Sequence, residues 1–399
     1  MSALILGDVH IGKGINIGKA GVGSALNSRV SDQLEILNWT LDQAEELGID
    51  NIIITGDIFE DPKPHPQIIT LFISWLKKCQ FMKVNIHIIA GNHDILRVGS
   101  IYLSPLDIIT ECDMEFIHVY KNIDTIMINN CAYTFMPFRD RKSFNCESNT
   151  EALKLLADSL QYELASIPLT YKKIVVGHLA IEGSIPVGDE IDDMTNELFC
   201  PTSMFNGYDC VWMGHVHKFQ IMQKATNVNP YIAHIGSMDI SNFSESDQGK
   251  KISVINPLND NLFEYIKIPT RNLKKISIVV PDDIEDQTQY ILSKIDEVIG
   301  LDKSMVSIDI ELSDCKNKVN KHDIEKHLTS KGVYNVSAFS ESKKINLVKK
   351  EGANSINNKL DTISAMKKYS ELFIDPTKQN DFISLSLEIY SIYKLENNS

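Results

Sequence analysis

Residues 51–61 read "NIIITGDIFED", an apolar, β-branched run that meets Gly56 and Asp57 and is followed by acids at Glu60 and Asp61. One strand that stops at a Gly-Asp turn is commonplace. Here the same event recurs along the chain. Residues 3–10 read "ALILGDVH", 84–94 "VNIHIIAGNHD", 173–178 "KIVVGH" and 210–217 "CVWMGHVH". Each apolar strand finishes with a glycine followed by Asp, Asn or His.

Between these strands the periodicity becomes helical. Val30, Leu34, Leu37, Leu41 and Ala44 recur at helical spacing up to Gly48, and Gln67–Cys79 follows a loop with Pro62, Pro64 and Pro66. This β-α-β-α-β order predicts parallel strands joined by crossover helices. Shorter strands follow from Glu115, then a helix at Thr150–Ala165, and then the strands of the late motifs, "YIAHIGS" and "KKISVIN". The pattern changes near Pro269. Residues 274–340 read strand, helix, strand, helix, strand, without the Gly-ligand turns; 341–358 are rich in Ser, Lys and Asn; and the tail holds two amphipathic helical patterns split at "DPTKQND".

Open α/β sheets place their sites beyond the carboxyl ends of the strands, so the recurring residues should converge. Asp8, His10, Asp57, Asn92, His178, His215 and His217 form a nitrogen and oxygen set without sulfur, which suits manganese, iron or zinc better than calcium or magnesium. Seven ligand types exceed what one ion needs. The set therefore predicts two divalent metal ions of this kind, bridged by Asp57, the device used for phosphoester hydrolysis. His87, His118 and His234 lie within strands and read as structural.

The 399 residues carry a net charge of -14, which argues against nucleic-acid binding by bulk electrostatics but not through bound metals or a basic partner. Basic spots at Arg139–Lys142, Lys172–Lys173 and Lys343–Lys350 read as solvated surface. Seven scattered cysteines without a Cys-x-x-Cys pair fit reduced thiols in a cytoplasm. The N-terminal "SALILGDVH" reads as a first strand rather than a signal peptide, and no apolar run approaches the ~20 residues of a membrane span. The stretch "GKGINIGKAGVG" (12–23) is not a nucleotide-binding loop: Gly14 to Gly18 is one residue short, and Ala20 stands where Ser or Thr must reach magnesium.

The five motifs resemble the pattern D-x-H, G-D, G-N-H-D/E, G-H and G-H-x-H of the calcineurin-like metallophosphoesterase superfamily. The resemblance implies an α/β fold, a two-sheet αββα sandwich with a dinuclear centre. By position, Asp8, His10, Asp57 and His217 would hold one metal, and Asp57, Asn92, His178 and His215 the other. His93 would touch the phosphate or protonate the leaving oxygen, oriented by Asp94. The second motif lacks the Arg of Ser/Thr phosphatases, and "GDIFEDPKPHP" with "HIGSMDISNFSE" (234–245) resembles the SbcD family, the nuclease subunits of SbcCD-type DNA-repair complexes. That resemblance implies a nuclease domain at 1–270, a small α/β capping or DNA-binding domain at 271–340, a linker at 341–358 and a helical tail at 359–399 that docks on an SbcC-type SMC-like ATPase. It implies DNA as substrate, in a bacterial cytoplasm or, for a phage chain, that of the host, and it leaves a homodimer open. Archaeal and eukaryotic members carry His three residues after the bridging Asp; Glu60 places this chain with bacterial and phage members and leaves a phosphate contact open for Glu60 and for His65 in the same loop. The alternative is a stand-alone phosphodiesterase acting on nucleotides or other small phosphodiesters, which gives no role to the residues after 270.

Overall fold

The strand Asn51–Ile54 is buried along its whole length because alternate side chains serve two cores. Ile52 and Ile54 face one cluster and Ile53 another, and in the same way Leu4 and Leu6 part from Ala3 and Ile5. A strand covered on both faces reads as a continuous apolar run. The computed structural model describes residues 2–21, 26–98, 101–186, 197–259, 261–281, 283–312 and 319–343, with 370, 379 and 382–387 beyond them.

Two six-stranded sheets result. The first runs Phe263–Lys267, Lys251–Ile255, Ala3–Leu6, Asn51–Ile54, Asn85–Ile89, Ile117–Tyr120. Its last four strands are parallel, as the β-α-β-α-β order predicts, and the two others are antiparallel. The second runs Gln220–Gln223, Tyr231–His234, Cys210–Met213, Lys172–Gly177, Cys131–Met136, Asp124–Ile128. Tyr133, Phe135, Val176 and Trp212 pack against Ala3, Ile5 and Ile53 between the sheets. Helices Ser28–Leu47 and Pro66–Phe81 cover the first sheet, and helix Asn149–Ser166 covers the second. This is the αββα sandwich that the motifs imply.

Local chemistry sets the helix ends. The Asn27 side chain accepts from Arg29 N–H, and Gly48 closes that helix in the left-handed conformation, its N–H bonded to Ala44 and Glu45 carbonyls. Ser148 caps the helix at 149–166 by accepting from Glu151 N–H. Two edge strands, Gln220–Gln223 and Phe263–Lys267, escape periodicity because they are only half-buried.

Met1–Ser342 makes one compact unit and Lys343–Ser399 a second. Within the first, strands Leu273–Val280, Met305–Leu312 and Asn335–Lys343 form a small sheet with helices Gln287–Asp296 and Lys321–Ser330 packed on it. The element order is the one read from the sequence, and the last strand runs past 340, where a linker was expected to begin. In the second unit the described residues, 370, 379 and 382–387, are helical; the rest of the tail, and the linker with its basic run from 344 onward, lie outside the described residues. No described helix is long and apolar enough to cross a membrane.

His87 is buried between the sheets, as a structural histidine should be. Asn51 Oδ1 lies 3.2 Å from its Nε2 and Tyr120 Oη 3.0 Å from its Nδ1, so the neutral ring is satisfied with its proton on Nε2. Burial, with some repulsion from His118, pushes its pKa down to about 3. Its full contribution to stability is present above the unfolded value of about 6.5 and is lost as pH falls toward about 3, because the unfolded chain binds the proton first. Urea unfolding between about pH 7 and 5 should show this loss, at most about 1.4 kcal/mol per pH unit from this group. His87→Gln should flatten the slope, and an unchanged slope would refute the assignment.

Candidate metal centre

The seven residues picked from the strand ends meet at one edge of the sandwich. Asp8, Asp57 and Asn92 follow Ala3–Leu6, Asn51–Ile54 and Asn85–Ile89 in the first sheet, and His178, His215 and His217 follow Lys172–Gly177 and Cys210–Met213 in the second. The glycines have a more specific task than turning the chain. A Cβ on Gly91 would lie 2.1 Å from Asp57 Oδ1, and one on Gly214 2.2 Å from Asp8 Oδ1. The carboxylates occupy the space a side chain would fill. Three of the candidate ligands, His10 (φ 46°), Asp57 (φ 45°) and His215 (φ 78°), have positive φ, and such strain persists only where surrounding structure imposes it.

Asp57 Oδ2 lies 3.3 Å from His10 Nε2 and 3.2 Å from His178 Nε2. His10 Nε2 also faces His217 Nε2 at 3.0 Å. Asn92 Oδ1 approaches His178 Nε2 at 2.9 Å and His215 Nδ1 at 3.1 Å. Asp8 accepts from Thr55 Oγ1 at 2.7 Å and from His215 N–H at 2.6 Å. Asp8, His10 and His217 can present one atom each to a common ion, and so can Asp8, Asp57 and His178. Two imidazole nitrogens aimed at each other beside buried carboxylates form a cradle that a cation satisfies, and the donor set is the nitrogen and oxygen kind that fits divalent transition metals.

Protons take up this charge when no cation does. Burial alone would raise Asp8, but the attraction of His178 and a hydrogen bond to it hold Asp8 down to about 2. His10 moves the other way: burial would lower it, yet Asp57 and Glu60 together raise it to about 9. Metal binding must displace such protons from the imidazoles.

Around the cluster stands a layer that motif reading captured only in part. Glu60 Oε2 lies 2.8 Å from His10 Nδ1 and 3.2 Å from Lys13 Nζ, so its carboxylate braces a candidate ligand from outside. Glu197 Oε2 does the same for His215 at 2.5 Å from Nε2. No motif flags Glu197, because the spacing between it and His215 has no local period. Lys250 is buried and donates to the His217 carbonyl at 3.0 Å, to Ser237 Oγ at 2.8 Å and to Glu245 at 2.6 Å.

His93 and Asp94 divide their tasks differently from expectation. His93 Nδ1 donates to the Glu60 carbonyl at 2.8 Å, so that carbonyl, and not Asp94, orients the ring. Asp94 is fully buried and accepts from the N–H groups of Gly91, Ile58 and Phe59, pinning the third motif's loop to the second. His65 is exposed and caps helix Pro66–Phe81 by accepting from Gln67 N–H at 3.2 Å. That cap accounts for the residue without a phosphate contact.

The family model for calcineurin-like phosphoesterases matches residues 1–219. The SbcD component of the SbcCD nuclease of Staphylococcus epidermidis is 27% identical over 293 residues, which cover 71% of this chain and 72% of that protein. Among solved structures, a dimetal phosphatase from Danio rerio aligns at TM-score 0.40 and 10% identity, covering 67% of this chain and 98% of that one. The phosphopantetheinyl hydrolase of Mycobacterium tuberculosis aligns at TM-score 0.32 and 11% identity, over 59% and 89%.

Mn2+ added to metal-stripped protein should raise the unfolding temperature. The stabilisation should be about 2.7 kcal/mol when free metal exceeds its dissociation constant about a hundredfold. Asp57→Asn should remove most of that increment in a thermal melt. An equal increment in the variant would show that Asp57 holds no metal.

Proposed function

The chain belongs to the calcineurin-like phosphoesterase family of dinuclear-metal hydrolases, and from that premise we propose that it is a DNA nuclease subunit of the SbcCD type. The observation that carries the proposal is the convergence of seven nitrogen and oxygen donors at the shared edge of two sheets, in a chain similar along most of its length to the SbcD component of an SbcCD nuclease. Asp8, His10, Asp57 and His217 hold one divalent ion in this reading; Asp57, Asn92, His178 and His215 hold the other, with Mn2+ the ion best matched to the donors. When bound, the two cations supply charge neutralisation at the phosphoryl oxygens and acidify a water.

The chain's own residues supply the rest. Asp57 spans both positions and keeps its carboxylate in place through His93 N–H at 2.9 Å. With Nδ1–H committed to the Glu60 carbonyl, His93 leaves Nε2 for the substrate, and as the imidazolium it carries there the second proton that passes to the leaving sugar oxygen, returning the ring to the neutral Nδ1–H form. Asp94 keeps the two loops that carry Asp57 and His93 at fixed separation. Substrate positioning in a chain of net charge -14 falls to a partner, an SMC-like ATPase that takes the tail at 359–399, and to the module at 271–340 acting as a capping domain. A cytoplasmic setting agrees with the free cysteines at 79, 112, 131, 146, 200 and 210.

Purified chain with Mn2+ should hydrolyse end-labelled linear DNA, and His93→Ala should lower the rate by about 10²–10⁴-fold, the range of a lost general acid. Turnover of bis(4-nitrophenyl) phosphate without DNA cleavage, alone or with an SMC-like ATPase, would instead favour a small-diester phosphodiesterase.

A further inference from the structure

A pocket of about 400 Å³ opens beside the metal centre, lined among others by Ile95, Tyr102, Leu103, Lys121, Phe138 and Arg139. Phe138 is the shared wall. Its N–H bonds to the Ala90 carbonyl at 2.8 Å, and its ring centre lies 6.4 Å from that of His178 and 6.2 Å from that of His215. The pocket therefore begins where two candidate metal ligands end.

Aromatic and apolar side chains form much of its surface. Tyr102 is 41% exposed and Leu103 47%, an unusual display of large apolar groups on one hairpin strand. The Arg97 guanidinium lies 5.2 Å over the Tyr102 ring. Arg139 is committed to the carbonyls of Phe138 and Lys121 and to Asn122, so it stiffens the wall instead of reaching outward. Lys121 and Arg97 are paired with Asp107 and Asp140. With its cations largely neutralised, the pocket is poorly suited to a second phosphate and well suited to a flat, weakly polar ring. Its volume lies in the range of small-ligand pockets, about 300–1,000 Å³.

We propose that this pocket is a subsite for one unstacked nucleobase, that of the nucleotide adjoining the phosphodiester held at the metal centre, with Tyr102 and Phe138 as its aromatic surfaces. The proposal rests on the nuclease reading and adds to it the form of the substrate. A base can enter only after leaving its stack, so the strand is cut where it is single or frayed. The basic stretch 139–142, read from sequence as solvated surface, begins at the rim of this pocket.

The test uses the full chain with Mn2+, a labelled single-stranded oligonucleotide, and the same oligonucleotide with an abasic residue moved along it. Tyr102→Ala should raise KM for the oligonucleotide by about 5- to 150-fold, the span expected for loss of one stacking partner, with kcat unchanged. Tyr102→Phe should restore KM. One abasic position beside the cut should weaken the wild-type protein by the same factor and leave Tyr102→Ala unaffected. If Tyr102→Ala cleaves the oligonucleotide as the wild type does, or if Tyr102→Phe fails to rescue it, the subsite falls and the nuclease reading stands. If both proteins hydrolyse bis(4-nitrophenyl) phosphate and neither cuts any oligonucleotide, alone or with an SMC-like ATPase, both readings fall together.

Discussion

Asp57 Oδ2 is the point at which the two sheets meet chemically. His10 reaches it from the first sheet and His178 from the second, at 3.3 and 3.2 Å. A carboxylate that is 1% exposed has no water to stabilise it, so the surrounding cationic groups must. Burial would push Asp57 up, but the charges and hydrogen bonds of His178 and His10 hold it well below the usual carboxylate range. The fold thus concentrates negative charge and imidazole at one edge and leaves the balance to be completed by protons or by metal ions. The same requirement explains the glycines at 91 and 214, whose missing side chains make room for the carboxylates, and the strained backbone at His10, Asp57 and His215.

The layer behind this centre is held by buried ion pairs that tie remote segments together. Arg29, fully buried, donates to Asp32 at 2.7 Å, to the Ile240 carbonyl at 2.7 Å and to Asp239 at 2.5 Å. Asp32 in turn accepts from Arg271 at 2.9 and 2.5 Å. Burial raises Asp239 to about 6 against the pull of Arg29. Such networks add little net stability compared with apolar packing, but removing one member leaves a stranded charge and is costly, by about 3–5 kcal/mol. Their effect here is positional. They fix residues 237–250, where Met238 N–H bonds the Asp8 carbonyl at 2.9 Å and Lys250 holds the His217 carbonyl. The "HIGSMDISNFSE" stretch that resembles the SbcD family is therefore a brace for the first and last candidate ligands of the site.

What could be read from sequence follows from where the information is stored. The parallel strands and the convergence of their terminal candidate ligands are legible because each of these glycine turns sits directly on an apolar run that must be buried on both faces, as at Ile52, Ile53 and Ile54. The brace residues are not. Glu197 reaches the His215 ring and Lys250 the His217 carbonyl with no local period to announce either contact. Asp94 is legible from its place in a motif but its partner is not, because the motif cannot tell a side chain that touches His93 from one that accepts three backbone amides. The edge strands at 220–223 and 263–267 were missed for the opposite reason: half-exposed strands lack the apolar signature.

The pairing of Lys251–Ile255 with Ala3–Leu6 has a consequence for biogenesis. The first strand leaves the ribosome with one edge that nothing can seal until residue 255 has been made. At about 5–20 residues per second that is a wait of tens of seconds. Asp8 stands at the end of that strand, and His215 and His217 are synthesised only shortly before its partner. Acquisition of metal by these candidate ligands is then a late event, and a nascent chain arrested before residue 210 would expose an unpaired β-edge, which favours misassembly, while its set of candidate ligands is still incomplete.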